Sequence, residues 1–257
     1  MGGRETSMSA AETSETLLVE EHADRLVVTL NRPEKRNAID ARLVGELHAV
    51  CARLEREPRL LLLTGADGVF AGGADIAQLR ERGRLDALAA INVGLFERIR
   101  RLPMPSVAAI DGPALGGGAE LAYACDLRIC TARAFFGQPE VRLGILAGAG
   151  SCYRLPALVG EGMAKEMLFT GRRVQAAEAF AIRLVNRVVE DPVELLPAAH
   201  AMLDEIARGS KLALRLTKLA VDAPAAAHPQ LDLASQAILF EDEQKRERMT
   251  AFLEHRR

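Results

Sequence analysis

Two glutamates and a run of three glycines carry the chemistry open to this chain. Gly116-Gly117-Gly118-Ala119-Glu120 is a glycine-rich turn running into an acid, and Phe136-Gly137-Gln138-Pro139-Glu140 brings a second acid. Glu120 sits in an otherwise apolar segment, Leu115 to Cys125. An unpaired carboxylate is costly to bury, so an acid there signals pairing or acid–base work. Glycines permit positive φ and close approach of a ligand to the backbone. The first turn of a helix leaves N–H groups without intrahelical partners, and these favour an oxygen that is gaining negative charge. Phe70-Ala71-Gly72-Gly73-Ala74-Asp75-Ile76 is built the same way. One N–H from each loop would form an oxyanion hole beside two carboxylates, which suits enolate chemistry. Taken singly, each glycine segment reads as an ordinary turn and Glu140 as a helix-start carboxylate, while Glu120 in its apolar surroundings reads as a functional or paired acid.

The elements that must position these residues follow from periodicity. Leu26–Leu30 and Ser106–Ile110 read as buried strands, as do Leu60–Leu63, Leu127–Cys130 and Val185–Val189. Apolar residues recur at helical spacing from Ile39 to Arg56 (Leu43, Leu47, Val50, Leu54), with Asp40 near the start where a negative charge suits the dipole. Further helices are expected to begin near Ala74, to span Leu85–Arg101, and to follow the glycine turn. Strand, loop and helix repeat, which predicts an α/β fold with parallel pairing. From Pro192 onward the pattern is helical only: Leu195–Ala207, Lys211–Val221, Leu231–Phe240 and Asp242–His255. The domain reading is a disordered head over 1–16, an α/β core over 17–191 and a helical C-terminal subdomain over 192–257. A dinucleotide site is disfavoured, since Gly116-Gly117-Gly118 lacks the GxGxxG spacing.

Composition bounds the function. The chain has 257 residues, 49% hydrophobic and 26% charged, with a formal net charge of -2. No basic footprint for nucleic acid is present, although a local basic cluster such as Arg32, Lys35 and Arg36 suits a small anion. The four cysteines form no Cys-x-x-Cys pair and read as free thiols in a reducing cytosol. No apolar run is long enough to span a bilayer, so a cytoplasmic protein without a membrane partner is expected.

Taken in order, Asn31-Arg32-Pro33-Glu34-Lys35-Arg36-Asn37-Ala38, Ala71 to Ile76, Gly112 to Leu121, Phe136 to Glu140, Gly144 to Gly150, Leu168 to Arg172 and the final Ala251-Phe252-Leu253-Glu254 resemble the enoyl-CoA hydratase/isomerase (crotonase) superfamily, from about Leu17 to the end. The resemblance implies a crotonase-like spiral of repeated strand-strand-helix units with a C-terminal helical subdomain. It implies an acyl-CoA thioester substrate in fatty acid metabolism, and an oxyanion hole from the N–H groups of Ala74 and Gly117. Glu120 and Glu140 would be the catalytic pair of a hydro-lyase, an enoyl-CoA hydratase, with the N–H of Gly148 placing the water. Lys35, Arg36 and Ala38, with Ala74, Asp75, Ile76 and Ala77, would meet coenzyme A. No metal or redox cofactor is implied, and the assembly would be a homotrimer or a dimer of trimers (a hexamer).

Three places depart from the family pattern. Ala77 stands where many relatives have lysine, Ala147 where proline is frequent, and Ser151-Cys152-Tyr153-Arg154 where Gly-Thr-Gln-Arg is common. An enoyl-CoA isomerase, which can work with one carboxylate, and a non-catalytic acyl-CoA-binding protein are the alternatives. The presence of both glutamates favours the hydratase.

Overall fold

The computed structural model describes residues 12–13 and 16–254. Its strands are β1 (Glu12–Thr13), β2 (Leu17–Glu21), β3 (Arg25–Leu30), β4 (Leu60–Gly65), β5 (Ser106–Ile110), β6 (Pro113–Leu115), β7 (Leu127–Thr131), β8 (Phe135–Gly137), β9 (Val174–Gln175) and β10 (Arg187–Val189). Its α-helices are α1 (Ala41–Arg56), α2 (Ile76–Glu81), α3 (Arg84–Leu88), α4 (Ile91–Arg100), α5 (Gly117–Ala124), α6 (Ser151–Val159), α7 (Glu161–Thr170), α8 (Ala176–Ala181), α9 (Leu195–Ala207), α10 (Lys211–Asp222), α11 (Gln230–Glu241) and α12 (Glu243–Glu254). The head expected to be disordered, 1–16, lies outside the described residues except at three positions. Glu12 and Thr13 pair with Val19 and Leu18, and Thr16 donates to the Glu46 carboxylate.

The larger sheet runs β1-β2-β3-β4-β5-β7-β10, parallel from β3 onward. Its central strands β4 and β5 are buried and largely apolar because both faces are covered. Alternate residues divide between the faces. Leu26, Val28, Leu61, Leu63, Ala108 and Ile110 join one core with α1 and α4; Val27, Leu60, Leu62, Val107 and Ala109 join another. Leu195, Ala199 and Leu203 of α9, four residues apart on one helical stripe, cover this second face. Asp126 ties α10 to the start of β5: one carboxylate oxygen accepts from the Ser106 N–H at 2.8 Å and from Lys218 Nζ at 2.7 Å.

A second sheet, β6-β8-β9, lies where each turn of the chain leaves the first. Isolated parallel bridges extend it: Ala71 pairs with Ala114, and Ile39 with Ala74. So β3 leads to Ile39 and α1, β4 to Ala71, Ala74 and α2, β5 to β6 and α5, and β7 to β8. This is the repeated strand-strand-helix spiral. The smaller sheet was not legible in sequence, because strands of two or three residues have no measurable period. The helices α6, α7 and α8 were also missed.

The expected helix Leu85–Arg101 is instead two. Ala90, at φ 57°, breaks it between α3 and α4. Apolar spacing alone gave no warning of a left-handed residue, which carries a steric penalty for alanine.

Gly118 shows how closely the turns of the spiral pack. A Cβ there would lie 2.7 Å from the Ala71 Cβ and closer still to the Ala71 carbonyl. We expect Gly118→Ala to lower stability by roughly 1–3 kcal/mol through overpacking. Denaturant unfolding checks this, and an unchanged midpoint would show that the contact relaxes freely.

Candidate active site

Helix α5 begins where β6 ends. Gly116 takes φ 50° and ψ -126°, a conformation that only glycine adopts freely. A Cβ there would also lie 2.7 Å from Glu140 Oε1, so the missing side chain leaves room for the second carboxylate. Every residue of α5 is buried, and Glu120 lies in its first turn.

The two donor loops are held edge to edge. Ala71 N–H donates to Pro113 O at 3.2 Å, and Leu115 N–H donates back to Ala71 O at 3.1 Å. On the other edge of the 71–75 segment, Ile39 N–H donates to Gly73 O and Asp75 N–H to Ile39 O. Strand alternation therefore turns the Ala74 N–H away from Ile39. A Cβ on Gly117 would lie 3.5 Å from the Ala74 nitrogen, which places the two backbone groups side by side. Neither N–H has a hydrogen-bond acceptor among the described residues. Both line a cavity of about 540 Å³, together with Glu120, Glu140, Gly148 and Ala149.

The two acids are supported differently. Glu120 Oε1 accepts from the N–H groups of Ala149, at 2.9 Å, and Ser151, at 3.0 Å. Burial raises its pKa, and those two N–H groups oppose the rise. Glu140 is raised to about 7, chiefly by burial, with the charge of Glu120 adding to the effect. Gln138 sits between the two supports. With its amide nitrogen turned toward Glu140 it donates to both carboxylate oxygens, at 3.2 and 3.0 Å, while its oxygen accepts from Ser151 Oγ at 2.7 Å. The network alone sets this amide orientation.

The structure brings Glu120, Glu140, Ala74, Gly117 and Gly148 around one space. The other sequence candidates lie farther out. Ile76 lines the cavity, but Lys35, Arg36, Ala38, Asp75 and Ala77 do not. The Asp75 side chain accepts from Gln78 N–H and caps α2. Arg36 is exposed and adjoins the rim, where its carbonyl accepts from Gly72 N–H at 2.8 Å. Asn37 pins this loop by donating to Val69 O at 2.6 Å and to Ala66 O at 3.1 Å.

Sequence reasoning missed several cavity residues: Leu79, Arg82, Ile91, Asn92 and Val93 on one side, Leu143, Ile145 and Leu146 on the other. The first group surrounds the break at Ala90, which a continuous helix would have hidden. Gln138 was also missed. A buried polar residue beside an acid was the available signal.

Three comparisons bear on this site. The protein-family model described as "Enoyl-CoA hydratase/isomerase" matches residues 20–257. The chain belongs to this family. It is 37% identical over 250 residues to the short-chain-enoyl-CoA hydratase of Clostridium acetobutylicum, covering 94% of this chain and 95% of that protein. It is 38% identical over 252 residues to the crotonyl-CoA hydratase of Syntrophomonas wolfei, covering 95% and 96%. Among solved structures, the enoyl-CoA hydratase of Bacillus anthracis superposes with a TM-score of 0.88 at 32% identity, covering 94% of this chain and 97% of that one.

The raised proton affinity of Glu140 has a consequence for stability. Its folded pKa of about 7 exceeds the ordinary value of 4.5. The folded state therefore binds the proton more tightly than the unfolded state. The associated stability is full below about 4.5 and is lost as pH rises to about 7. We expect Glu140→Gln to be more stable than the parent at pH ~8 by about 1–2 kcal/mol, allowing for solvent screening, with the gap closing near pH ~4. Chemical denaturation at the two pH values checks the sign. A parent that is the more stable at high pH would place Glu140 in a site that favours its charge.

Proposed function

We propose that this chain is an enoyl-CoA hydratase, adding water reversibly and syn to a trans-2-enoyl-CoA to give a 3-hydroxyacyl-CoA. One observation carries the reading: two buried carboxylates, both with proton affinity raised by burial, share a cavity with two unpaired backbone N–H groups. The thioester oxygen sits at the N–H groups of Ala74 and Gly117. As water adds to C3, charge moves onto that oxygen, and the donors stabilise the enolate. One such donor is worth about 3 kcal/mol in the transition state.

The acids divide the remaining work. Two N–H donors favour the charged form of Glu120, so it takes the proton from water as the oxygen bonds to C3. Glu140, whose proton affinity burial raises to about 7, delivers a proton to C2. The two titrate as a coupled pair sharing one proton. The Gly148 N–H helps place the water. Substrate and paired acids supply every group that the step needs, so no cofactor is called for.

Coenzyme A runs along the rim formed by residues 35–38 and 72–77, where Lys35 and Arg36 offer charge to its phosphates. Relatives named for short-chain and crotonyl substrates support a short acyl group. We place the protein in the cytoplasm, assembled as a homotrimer or a dimer of trimers. Exposed apolar residues of the last helices, among them Leu219, Val221, Leu233, Ile238 and Phe240, support packing between subunits. Among the described residues no helix is long and apolar enough to cross a membrane.

The decisive assay follows the loss of conjugated-thioester absorbance with crotonyl-CoA and identifies the product. We expect 3-hydroxybutyryl-CoA from the parent, and none from Glu140→Gln, which should still bind the thioester. Product from a 3-enoyl-CoA instead would make the protein an isomerase, and binding without turnover would make it a carrier. Gly117→Pro removes one donor N–H. A folded variant with unchanged kinetics would take Gly117 out of the oxyanion hole.

A further inference from the structure

A third donor stands beside the two backbone N–H groups. The direction of a Cβ on Gly117 leads to the Ala74 nitrogen at 3.5 Å and to Asn92 Nδ2 at 3.8 Å. All three residues line the cavity. Asn92 is the second residue of α4, next to the break at Ala90. Arg82, from just beyond α2, donates through Nη1 to Asn92 Oδ1 at 3.2 Å. That contact decides which end of the amide faces which way: the oxygen turns to the guanidinium, and Nδ2 turns to Gly117. Among the described residues Nδ2 has no hydrogen-bond acceptor. A primary amide whose oxygen is engaged by a cation is a stronger donor through its nitrogen.

We propose that the Asn92 side-chain amide, held by Arg82, is a third donor to the thioester oxygen of the bound acyl group. The proposal rests on the acyl-thioester reading of the cavity. A neutral carbonyl oxygen accepts chiefly from Ala74 and Gly117 and more weakly from Asn92. An enolate oxygen carries a full charge and takes a third hydrogen bond. The Asn92 contact therefore strengthens as the enolate forms, and it acts on turnover more than on binding. Arg82 is a positioning residue: it touches Asn92 and not the substrate, and its charge lies behind the donor.

The test uses the full-length protein and two thioesters. Butyryl-CoA labelled with carbon-13 at the carbonyl cannot be hydrated, so its infrared carbonyl band reports donors in the bound state alone. Crotonyl-CoA reports turnover. For Asn92→Ala and for the near-isosteric Asn92→Asp we expect part of the downward band shift to disappear. We also expect kcat to fall on the order of tenfold or more with KM little changed. Arg82→Leu should lose part of the same shift, and Arg82→Lys, which keeps a donor, should restore it. A folded Asn92 variant with an unchanged band, an unchanged kcat, or a loss confined to KM overturns the proposal. If the parent binds butyryl-CoA but hydrates nothing, the hydratase reading falls and the band still decides Asn92. If the parent binds no thioester, both readings fall.

Discussion

The site depends on one constraint: two backbone segments, 71–75 and 113–118, must run closely enough for their free N–H groups to face one point. Reciprocal hydrogen bonds between Ala71, Pro113 and Leu115 set that distance. Ile39 holds the far edge of the first segment through Gly73 O and Asp75 N. The approach is possible only because Gly118 presents no side chain to Ala71 and Gly116 none to Glu140. A backbone N–H cannot be moved by a rotamer change. The proposed oxyanion hole would therefore be preorganised by the pairing of strands and would need no reorganisation as charge develops.

The burial of the two acids follows from the same packing. Helix α5 starts where β6 ends and every one of its residues is buried, so Glu120 enters the core with it. Isolated there, its charge would be costly. The Ala149 and Ser151 N–H groups at the start of α6 accommodate that charge, since a helix start offers N–H groups that no helical carbonyl can take. Burial raises the proton affinity of Glu140, and the neighbouring charge of Glu120 adds to the rise. The two acids thus differ in their surroundings: Glu120 faces the N–H groups at the start of α6, and Glu140 faces the Gln138 amide.

How much of this could be read from the residues depended on the scale of each signal. Ser106–Ile110 was legible to the residue because five consecutive buried positions leave an apolar run. Glu120 was legible because an acid among alanines and leucines is out of place. The second sheet was not, since a bridge such as Ile39 to Ala74 involves single residues and leaves no period. Asn92 and Arg82 were hidden for a related reason. In a continuous helix over 85–101, Asn92 would read as one more exposed polar residue. Only the break at Ala90 turns the start of α4 toward the cavity. Gln138 is a third case, because its value lies in a contact with Ser151, thirteen positions away in sequence and set by the spiral.

The departures at 147 and 151–153 leave the cavity's own lining unchanged. Ser151 holds Glu120 through its N–H, which any residue but proline supplies, so the side chain at that position is free to vary. Here it carries a hydroxyl that reaches Gln138, and through it the support of Glu140 is tied to the support of Glu120. Cys152 points its Sγ at Ala147 O, 3.4 Å away, and Tyr153 donates to Glu97 on α4 at 2.6 Å. None of Ala147, Ser151, Cys152 or Tyr153 lines the large cavity. Their contacts join α6, which holds Glu120, to α4, which carries Asn92. The departures at 147 and 151–153 therefore act on the packing of α6, through the Cys152–Ala147 contact, and on its link to α4, through Tyr153 and Glu97.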